Sequence, residues 1–184
     1  KVWLRMSYNT SSNRYAKALI SYSIDKGKLD VLFEEVQVLY NILEESQDLR
    51  EFISNPTITK DYKKSLLDEI SKSYLPNTLM IFDLLYINNR IDMLLNVCLA
   101  FIKQYYHHKN IVEVTITTPV EISEDVENIV MKYVSTLKDG TIKLIKNKDK
   151  SLIAGFTLDF YNTRLDASVK KRLNLMKKQL KTTN

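Results

Sequence analysis

The chain has 184 residues, of which 45% are hydrophobic and 27% charged, and its formal net charge is +5. This length and composition allow one domain or two small ones with a packed core. With only three Gly and three Pro residues, the composition favours a mostly helical chain, and the glycines at 27, 140 and 155 are too far apart for a P-loop or a dinucleotide-binding fingerprint.

Residues 1–108 show the hydrophobic period of α-helices. The pattern predicts six helices: one over about residues 14–24, one over about 29–46, a short third ending before Pro56, a fourth ending before Pro76, and two more on either side of a break at residues 88–90. Six helices with short connections predict a helical bundle.

Three of these helices have informative faces. The stripe of the first helix is Tyr15, Ala18, Leu19 and Tyr22, with Ala16 and Ile20 beside it, and the inward residues of the fourth include Tyr62, Leu66 and Ile70. In the fifth helix, Asp83 is the only polar residue from position 79 to position 87. A helix that is apolar all round is either central in its bundle or covered by something outside it.

After His108 the hydrophobic period changes to two. Val112, Val114 and Ile116 alternate with polar residues, which predicts a strand ending at Pro119. The pattern then predicts a helix with a stripe that includes Val126, Ile129, Val130, Tyr133 and Val134, a second strand over residues 141–145, and a hairpin over residues 152–165 that turns at residues 161–163. The whole segment is predicted to be a small α+β unit.

The last predicted element is an amphipathic basic helix. Asp166 or Ser168 is placed to cap it, because a short side-chain oxygen accepts from the free N–H groups of a first helical turn. Its apolar stripe is Val169, Leu173, Met176 and Leu180, and lysines cover the remainder.

The charge is distributed unevenly. Residues 1–108 contain 13 basic and 13 acidic side chains, whereas residues 109–184 contain 14 basic and 9 acidic ones. Together with the change of period, this predicts two domains, 1–108 and 109–184, with different partners. Residues 1–5 precede Met6, which resembles a natural start, and we interpret them as a leader or as non-native residues.

No group of residues in the sequence forms a catalytic, metal-binding or cofactor-binding motif. The adjacent His107 and His108 diverge by about 100° on a helix, so they do not readily chelate one ion. Cys98 lies in an apolar run without a neighbouring base, and Ser168 lacks a nucleophile elbow. We therefore predict no enzymatic activity and no cofactor, and the short apolar run from position 79 to 87 predicts no direct membrane insertion.

The C-terminal pattern resembles a known family. Residues 150–155 read K-S-L-I-A-G, and Asp166, Ser168, Val169, Arg172 and Leu173 follow them. This run resembles the C-terminal signature of the F-type ATP synthase delta subunit family, whose mitochondrial member is the oligomycin-sensitivity-conferring protein. The signature reads roughly D-x-S-[ILV]-x-G-G, a hairpin, then D-G-S-V-x-x-R-L, with Gly155, Asp166 and Ser168 as structural members here. The R-Y-A-K-A-L run at residues 14–19 and the break at residues 88–90 are also similar to the family.

The chain departs from this signature at two positions. Ala154 and Ala167 stand where the family commonly has glycine. If the family glycine at position 167 adopts a positive φ, an alanine there costs about 1–2 kcal/mol.

The resemblance covers about residues 14–180 and implies a fold and a function. The fold would be mainly α, an N-terminal six-helix bundle followed by a small α+β C-terminal domain. The function would be that of a non-catalytic stator subunit, one copy per complex, that tethers the catalytic head to the peripheral stalk. It would be peripheral to the cytoplasmic face of a bacterial plasma membrane, or to an organellar inner or thylakoid membrane.

The resemblance also implies two partners. The N-terminal helix of an α subunit would lie in a groove between the first and fifth helices, and the C-terminal domain would hold the C-terminus of the stalk b subunit. The candidates for the groove are Tyr15, Ala16, Leu19, Leu79, Phe82 and Tyr86. The candidates for the stalk are Val169, Arg172, Leu173, Met176 and Leu180.

Two other function classes stay open as alternatives. The first is a nucleic-acid-associated adaptor that uses the basic last helix, but residues 169–184 contain no aromatic residue to stack on bases. The second is a small hydrolase, for which the sequence offers no assembled nucleophile and base. We expect no nucleic-acid partner.

Overall fold

The structure is a computed structural model, and it describes residues 10–137, 140–149, 152, 154–160, 163–169 and 171. The described part contains seven α-helices and one four-stranded sheet, so the prediction of a mainly helical fold with a small α+β portion is confirmed. The chain divides into two compact units between Tyr105 and Tyr106. That the domains 1–108 and 109–184 fold independently stays a prediction.

The first unit is built from helices. Their bounds are α1 Thr10–Asp25, α2 Leu29–Glu45, α3 Gln47–Ser54, α4 Lys60–Tyr74, α5 Leu79–Ile87 and α6 Leu94–His108, with short 3-10 helices Pro76–Thr78 and Ile91–Met93. Asn55 is extended before Pro56, which ends α3 where the sequence predicts. That these helices form the six-helix bundle of the family stays a prediction.

Helices α2 and α6 supply much of the core of this unit. Leu32, Val36 and Leu43 of α2 are fully buried, as the helical period predicts. The ring of Phe33 stacks on that of Tyr105 with 3.7 Å between centroids, and the Tyr105 hydroxyl donates to Asp30 Oδ1 at 2.8 Å. The Phe33–Tyr105 stack and the Tyr105–Asp30 hydrogen bond therefore join α2 to α6.

The inward face of α1 differs from the predicted one. Ala16, Leu19 and Ile20 are buried, whereas Ala18 is exposed and Tyr22 is 50% exposed. Both faces are apolar, and the sequence offers no means to choose between them. The helix packs on the face that has the aliphatic side chains.

Helix α4 is also rotated relative to the prediction. Leu67 is buried, whereas Tyr62 is 62% exposed and Leu66 is only half-buried. Leu66 and Leu67 are adjacent, so two stripes about 100° apart fit the sequence equally well. Lys63 decides between them, because its buried Nζ donates to the Ile53 carbonyl at 2.6 Å, at the C-terminal end of α3.

The second unit contains the sheet. Its elements are β1 Ile111–Thr118, α7 Glu124–Leu137, β2 Thr141–Lys148, β3 Thr157–Phe160 and β4 Thr163–Asp166, and the strand order is β2-β1-β3-β4. β1 and β2 are parallel and are joined through α7, whereas β3 is antiparallel to both β1 and β4. The core contains Val112, Val114, Ile116, Val130, Val134 and Leu158.

Two sequence predictions for this unit need correction. β3 begins at Thr157 rather than at Leu152, because the chain bends at Ala154 and Gly155, where Gly155 has a φ of +91°. In the predicted stripe of α7, Val130 and Val134 are buried whereas Val126, Ile129 and Tyr133 are exposed, since one sheet covers only one side of the helix. The predicted turn residues 161 and 162 lie outside the described residues.

Candidate partner-binding surfaces

The beginning of α5 is fixed by a carboxylate on α2. Glu35 Oε2 accepts from the backbone N–H of Asn77 at 2.7 Å and of Thr78 at 3.1 Å, and Oε1 accepts from the Asn77 side-chain amide. These N–H groups belong to the 3-10 helix that leads into α5, where a negative charge is favourable. Glu35 therefore sets the position of α5, one of the two helices predicted to line the partner-binding groove.

Tyr86 is held on the α4 side of α5. Its hydroxyl donates to Asp61 Oδ1 at 2.6 Å, and this hydrogen bond raises the pKa of Tyr86. The ammonium groups of Lys60 and Lys64 lie 5.0 and 5.3 Å from the ring centroid.

A second polar contact joins the same two helices. Lys64 Nζ lies 2.9 Å from Asp83 Oδ1 and 3.2 Å from Asp68 Oδ2. The hydrogen bond with Asp83, and then that with Asp68, raises the pKa of Lys64. Because Lys64 also lies over the Tyr86 ring, the two contacts form one network between α4 and α5.

The predicted groove residues fall into two groups. Ala16, Leu19 and Phe82 are buried within the first unit. Tyr15, Leu79 and Tyr86 are half-buried and remain accessible. As partner contacts, these residues stay a prediction.

Two exposed residues on the same helices were missing from the predicted set. Tyr22 shares one face of α1 with Tyr15 and Ala18, at i, i+3 and i+7. Ile87, at the end of α5, is 78% exposed, which is unusual for isoleucine. The sequence did contain signals for both, since Tyr22 lies in the predicted stripe and Ile87 ends the all-apolar run.

The C-terminal signature forms a tight backbone junction. The N–H of Val169 donates to the Ala154 carbonyl at 3.0 Å, and that of Ala167 donates to the Phe156 carbonyl at 3.0 Å. A Cβ on Gly155 would overlap the Ala167 carbonyl oxygen and lie 2.9 Å from Ser168 Cα. Gly155 is therefore required both for its positive φ and for this close approach.

Of the two candidate caps, Ser168 is the one that caps the helix, and Asp166 supports it. Ser168 Oγ accepts from the N–H of Lys171 at 3.3 Å, which is the N-cap bond, and Asp166 Oδ1 accepts from the N–H of Ser168 at 3.0 Å. Hydrogen bonds from the side chain and the backbone of Ser168 lower the pKa of Asp166. Ala167 does not have a positive φ, so the alanine carries no backbone strain there.

Most of the predicted stalk residues lie outside the described part of the chain. Val169 is exposed, and Arg172, Leu173, Met176 and Leu180 lie outside the described residues. Helix α7 offers an apolar surface that the sequence analysis assigned to the core instead. Its members recur at i, i+3 and i+7, and they are Val126, Ile129 and Tyr133, of which Ile129 is 67% exposed.

The other reactive groups are in structural settings. Burial raises the pKa of Cys98 to about 12, so this thiol is not a nucleophile at neutral pH. Within the described ranges, no group of three His, Cys, Asp or Glu side chains is arranged to hold a metal ion. No helix in that part of the chain has the length and apolar character needed to cross a membrane.

Comparison with known proteins decides the family. The sequence profile of the ATP synthase delta (OSCP) subunit matches residues 12–180. The chain belongs to this family. It is thus a non-catalytic component of the ATP synthase, with the stator role that links the catalytic head to the peripheral stalk.

Relatives from several lineages span nearly the whole chain. The ATP synthase subunit delta of Microcystis aeruginosa is 31% identical over 91% of this chain and 93% of its own length. That of Flavobacterium johnsoniae is 29% identical over 95% of this chain and 99% of its own length. The chloroplastic delta chain of Chlamydomonas reinhardtii is 27% identical over 94% of this chain and 80% of its own length. A chain in the cryo-EM structure of the Toxoplasma gondii mitochondrial ATP synthase hexamer has the same fold, with a TM-score of 0.73 and 24% identity, over 92% of this chain and 96% of that one.

Proposed function

We propose that the chain performs its stator role through two apolar docking surfaces, one on each unit. A stator must dissociate slowly under load, and apolar contact with a partner helix suits this requirement. The observation that carries the proposal is a shared apolar face on each of two helices, with Tyr15, Ala18 and Tyr22 on α1 and Val126, Ile129 and Tyr133 on α7. Ile87 adds an exposed apolar side chain at the end of α5.

The first surface would bind the N-terminal helix of an ATP synthase α subunit. It consists of Tyr15, Ala18 and Tyr22 on α1 and of Leu79 and Ile87 on α5. The tyrosines provide large apolar area and a polar tip, a combination favoured at interfaces. The small side chain of Ala18 allows a partner backbone to approach closely.

The second surface would bind the C-terminus of the stalk b subunit. It consists of Val126, Ile129 and Tyr133 on α7, in addition to the predicted residues 169, 172, 173, 176 and 180. With both surfaces engaged, the chain would sit peripherally beside the head, on the cytoplasmic face of the membrane in a bacterium.

Calorimetric titration of a peptide with the N-terminal sequence of the α subunit tests the first surface. We expect Tyr22→Ser and Ile87→Ser each to weaken binding at least about tenfold, or ~1.4 kcal/mol, with unchanged thermal melting. Ile24→Ser on α1 is the matched control, because Ile24 is also about half exposed, at 43%, and lies on the side of α1 opposite Tyr15 and Tyr22. Equal affinities for all four proteins would remove α1 and α5 from the site.

A second titration, with a fragment that contains the C-terminus of the stalk b subunit, tests the stalk surface. We expect Ile129→Asp to weaken binding strongly, because it places a charge in an apolar contact. Replacing Lys177 and Lys178 by Ser is the control and should have much less effect, since exposed ion pairs contribute about 0–1 kcal/mol each. If the lysine variant lost more affinity than Ile129→Asp, the contact would be electrostatic and the proposed surface wrong.

A further inference from the structure

The outward side of α2 carries a strip of branched aliphatic residues that the fold leaves uncovered. Val31, Val38 and Ile42 are 51%, 48% and 37% exposed. They are separated by 7 and 4 positions, so they lie within about 40° of one another and extend about 16 Å along the axis. This α2 strip belongs to neither surface described above.

The same helix is strongly acidic. The α2 sequence contains Asp30, Glu34, Glu35, Glu44 and Glu45 and no Lys or Arg, although residues 1–108 are balanced in charge. Measured around the helix axis, Glu34 and Glu45 lie about 40–60° from the middle of the strip, both on the same side of it. Among the described residues, no ion pair involves the side chain of Glu34 or Glu45. The described part of the chain therefore leaves negative charge beside exposed apolar surface.

We propose that the α2 strip, with Glu34 and Glu45 along its edge, docks a basic amphipathic helix of another subunit of the assembly. A helix with apolar residues at matching spacing covers Val31, Val38 and Ile42, in the usual helix-docking mode. Lys or Arg residues flanking that apolar face then meet the two carboxylates, as flanking charges select partners in coiled coils.

The sign of the charge excludes other kinds of occupant. Nucleic acid and anionic lipid surfaces both present phosphates, which these carboxylates repel. An acidic helix brings like charges together at the edge of a desolvated contact, which costs binding energy. A basic helix is the occupant for which both the apolar and the charged residues of α2 are complementary.

Photocrosslinking within purified ATP synthase tests the surface and the occupant together. Val38 is replaced by p-benzoylphenylalanine, and the crosslinked peptide is sequenced by mass spectrometry. The matched control places the same group at Glu69, an exposed residue of α4. We expect position 38 to crosslink to a segment of another subunit that has more Lys and Arg than Asp and Glu, and position 69 not to do so.

Charge-reversal variants test the electrostatic part. In the position-38 protein, Glu34→Lys with Glu45→Lys should lower the crosslinking yield at least about tenfold, and Glu34→Gln with Glu45→Gln should lower it less. Both pairs replace exposed side chains, and unchanged thermal melting verifies the fold. A crosslink to an acidic segment, a yield no higher than at position 69, or a yield insensitive to the reversal would each overturn the proposal.

Discussion

Replacing Gly155 by Ala should destabilise the second unit, because two separate costs arise at this position. The first is the φ of +91°, at which a Cβ-bearing residue is strained by about 1–2 kcal/mol. The second is the overlap of the new Cβ with the backbone of Ala167 and Ser168, which cannot rotate away as a side chain would. Relieving the overlap lengthens the Val169–Ala154 and Ala167–Phe156 hydrogen bonds, each contributing about 0.5–1.5 kcal/mol. Together these costs lower the free energy of unfolding of the second unit by about 2–5 kcal/mol.

Gly27→Ala separates the two costs. Gly27 also has a positive φ, +64°, but an added Cβ there meets no atom within 4 Å. We therefore expect only the conformational cost, about 1 kcal/mol. The difference between the two variants measures the overlap at the signature junction.

Hydrogen–deuterium exchange with mass spectrometry reports each unit separately. The free energy of opening is read from amides of β1 and β3 for Gly155→Ala, and from amides of α1 and α2 for Gly27→Ala. If Gly155→Ala lowered protection no more than Gly27→Ala, the close approach would not contribute to stability, and our explanation of the signature glycine would be refuted.

Three further predictions follow from single groups. Glu35→Gln removes a charge that accepts three hydrogen bonds, so we expect urea denaturation to show that the free energy of unfolding falls by about 1–2 kcal/mol. An equal decrease for the neighbouring Glu34→Gln would contradict the role of Glu35. The pKa of Asp166 lies below its ordinary 3.8 in the folded chain, so its contribution to the free energy of unfolding is present above about pH 4 and is lost as pH falls through the lowered pKa. Asp166→Asn should abolish that part of the acid dependence, and an unchanged pH profile would argue against the hydrogen bond between Asp166 and Ser168. Burial and a pKa of about 12 should keep Cys98 unreactive towards a thiol reagent at pH 8 until the chain is unfolded, and rapid labelling of the native protein would show that the helical core is open.

The elements that sequence reasoning located well are those with one dominant pattern. β1 alternates between apolar and polar residues, so it has only one way to bury its apolar side chains. On α2 the face that contains Leu32, Val36, Leu39 and Leu43 has more apolar residues than the α2 strip, and it is the face that is buried. The cap was narrowed to Asp166 or Ser168 because both short side chains precede an amphipathic run, which requires only local information, and Ser168 is the cap.

The predictions failed where two patterns compete or where distant residues decide. The neighbours Leu66 and Leu67 allow two orientations of α4, and the bond from Lys63 to Ile53, ten residues away, selects one. Ala16 and Ala18 are both small residues on α1, and only the packing of the unit shows that Ala16 is the buried one. Glu35 and Asn77 are 42 residues apart, so no local pattern connects them.

The role as a link between head and stalk is tested most directly by removing the chain and adding it back. Inverted membrane vesicles are stripped of the catalytic head and of this subunit, and purified head is then added with or without the chain. We expect the head to sediment with the vesicles, and proton-driven ATP synthesis to return, only when the chain is present. Full rebinding and full ATP synthesis without it would contradict the assignment.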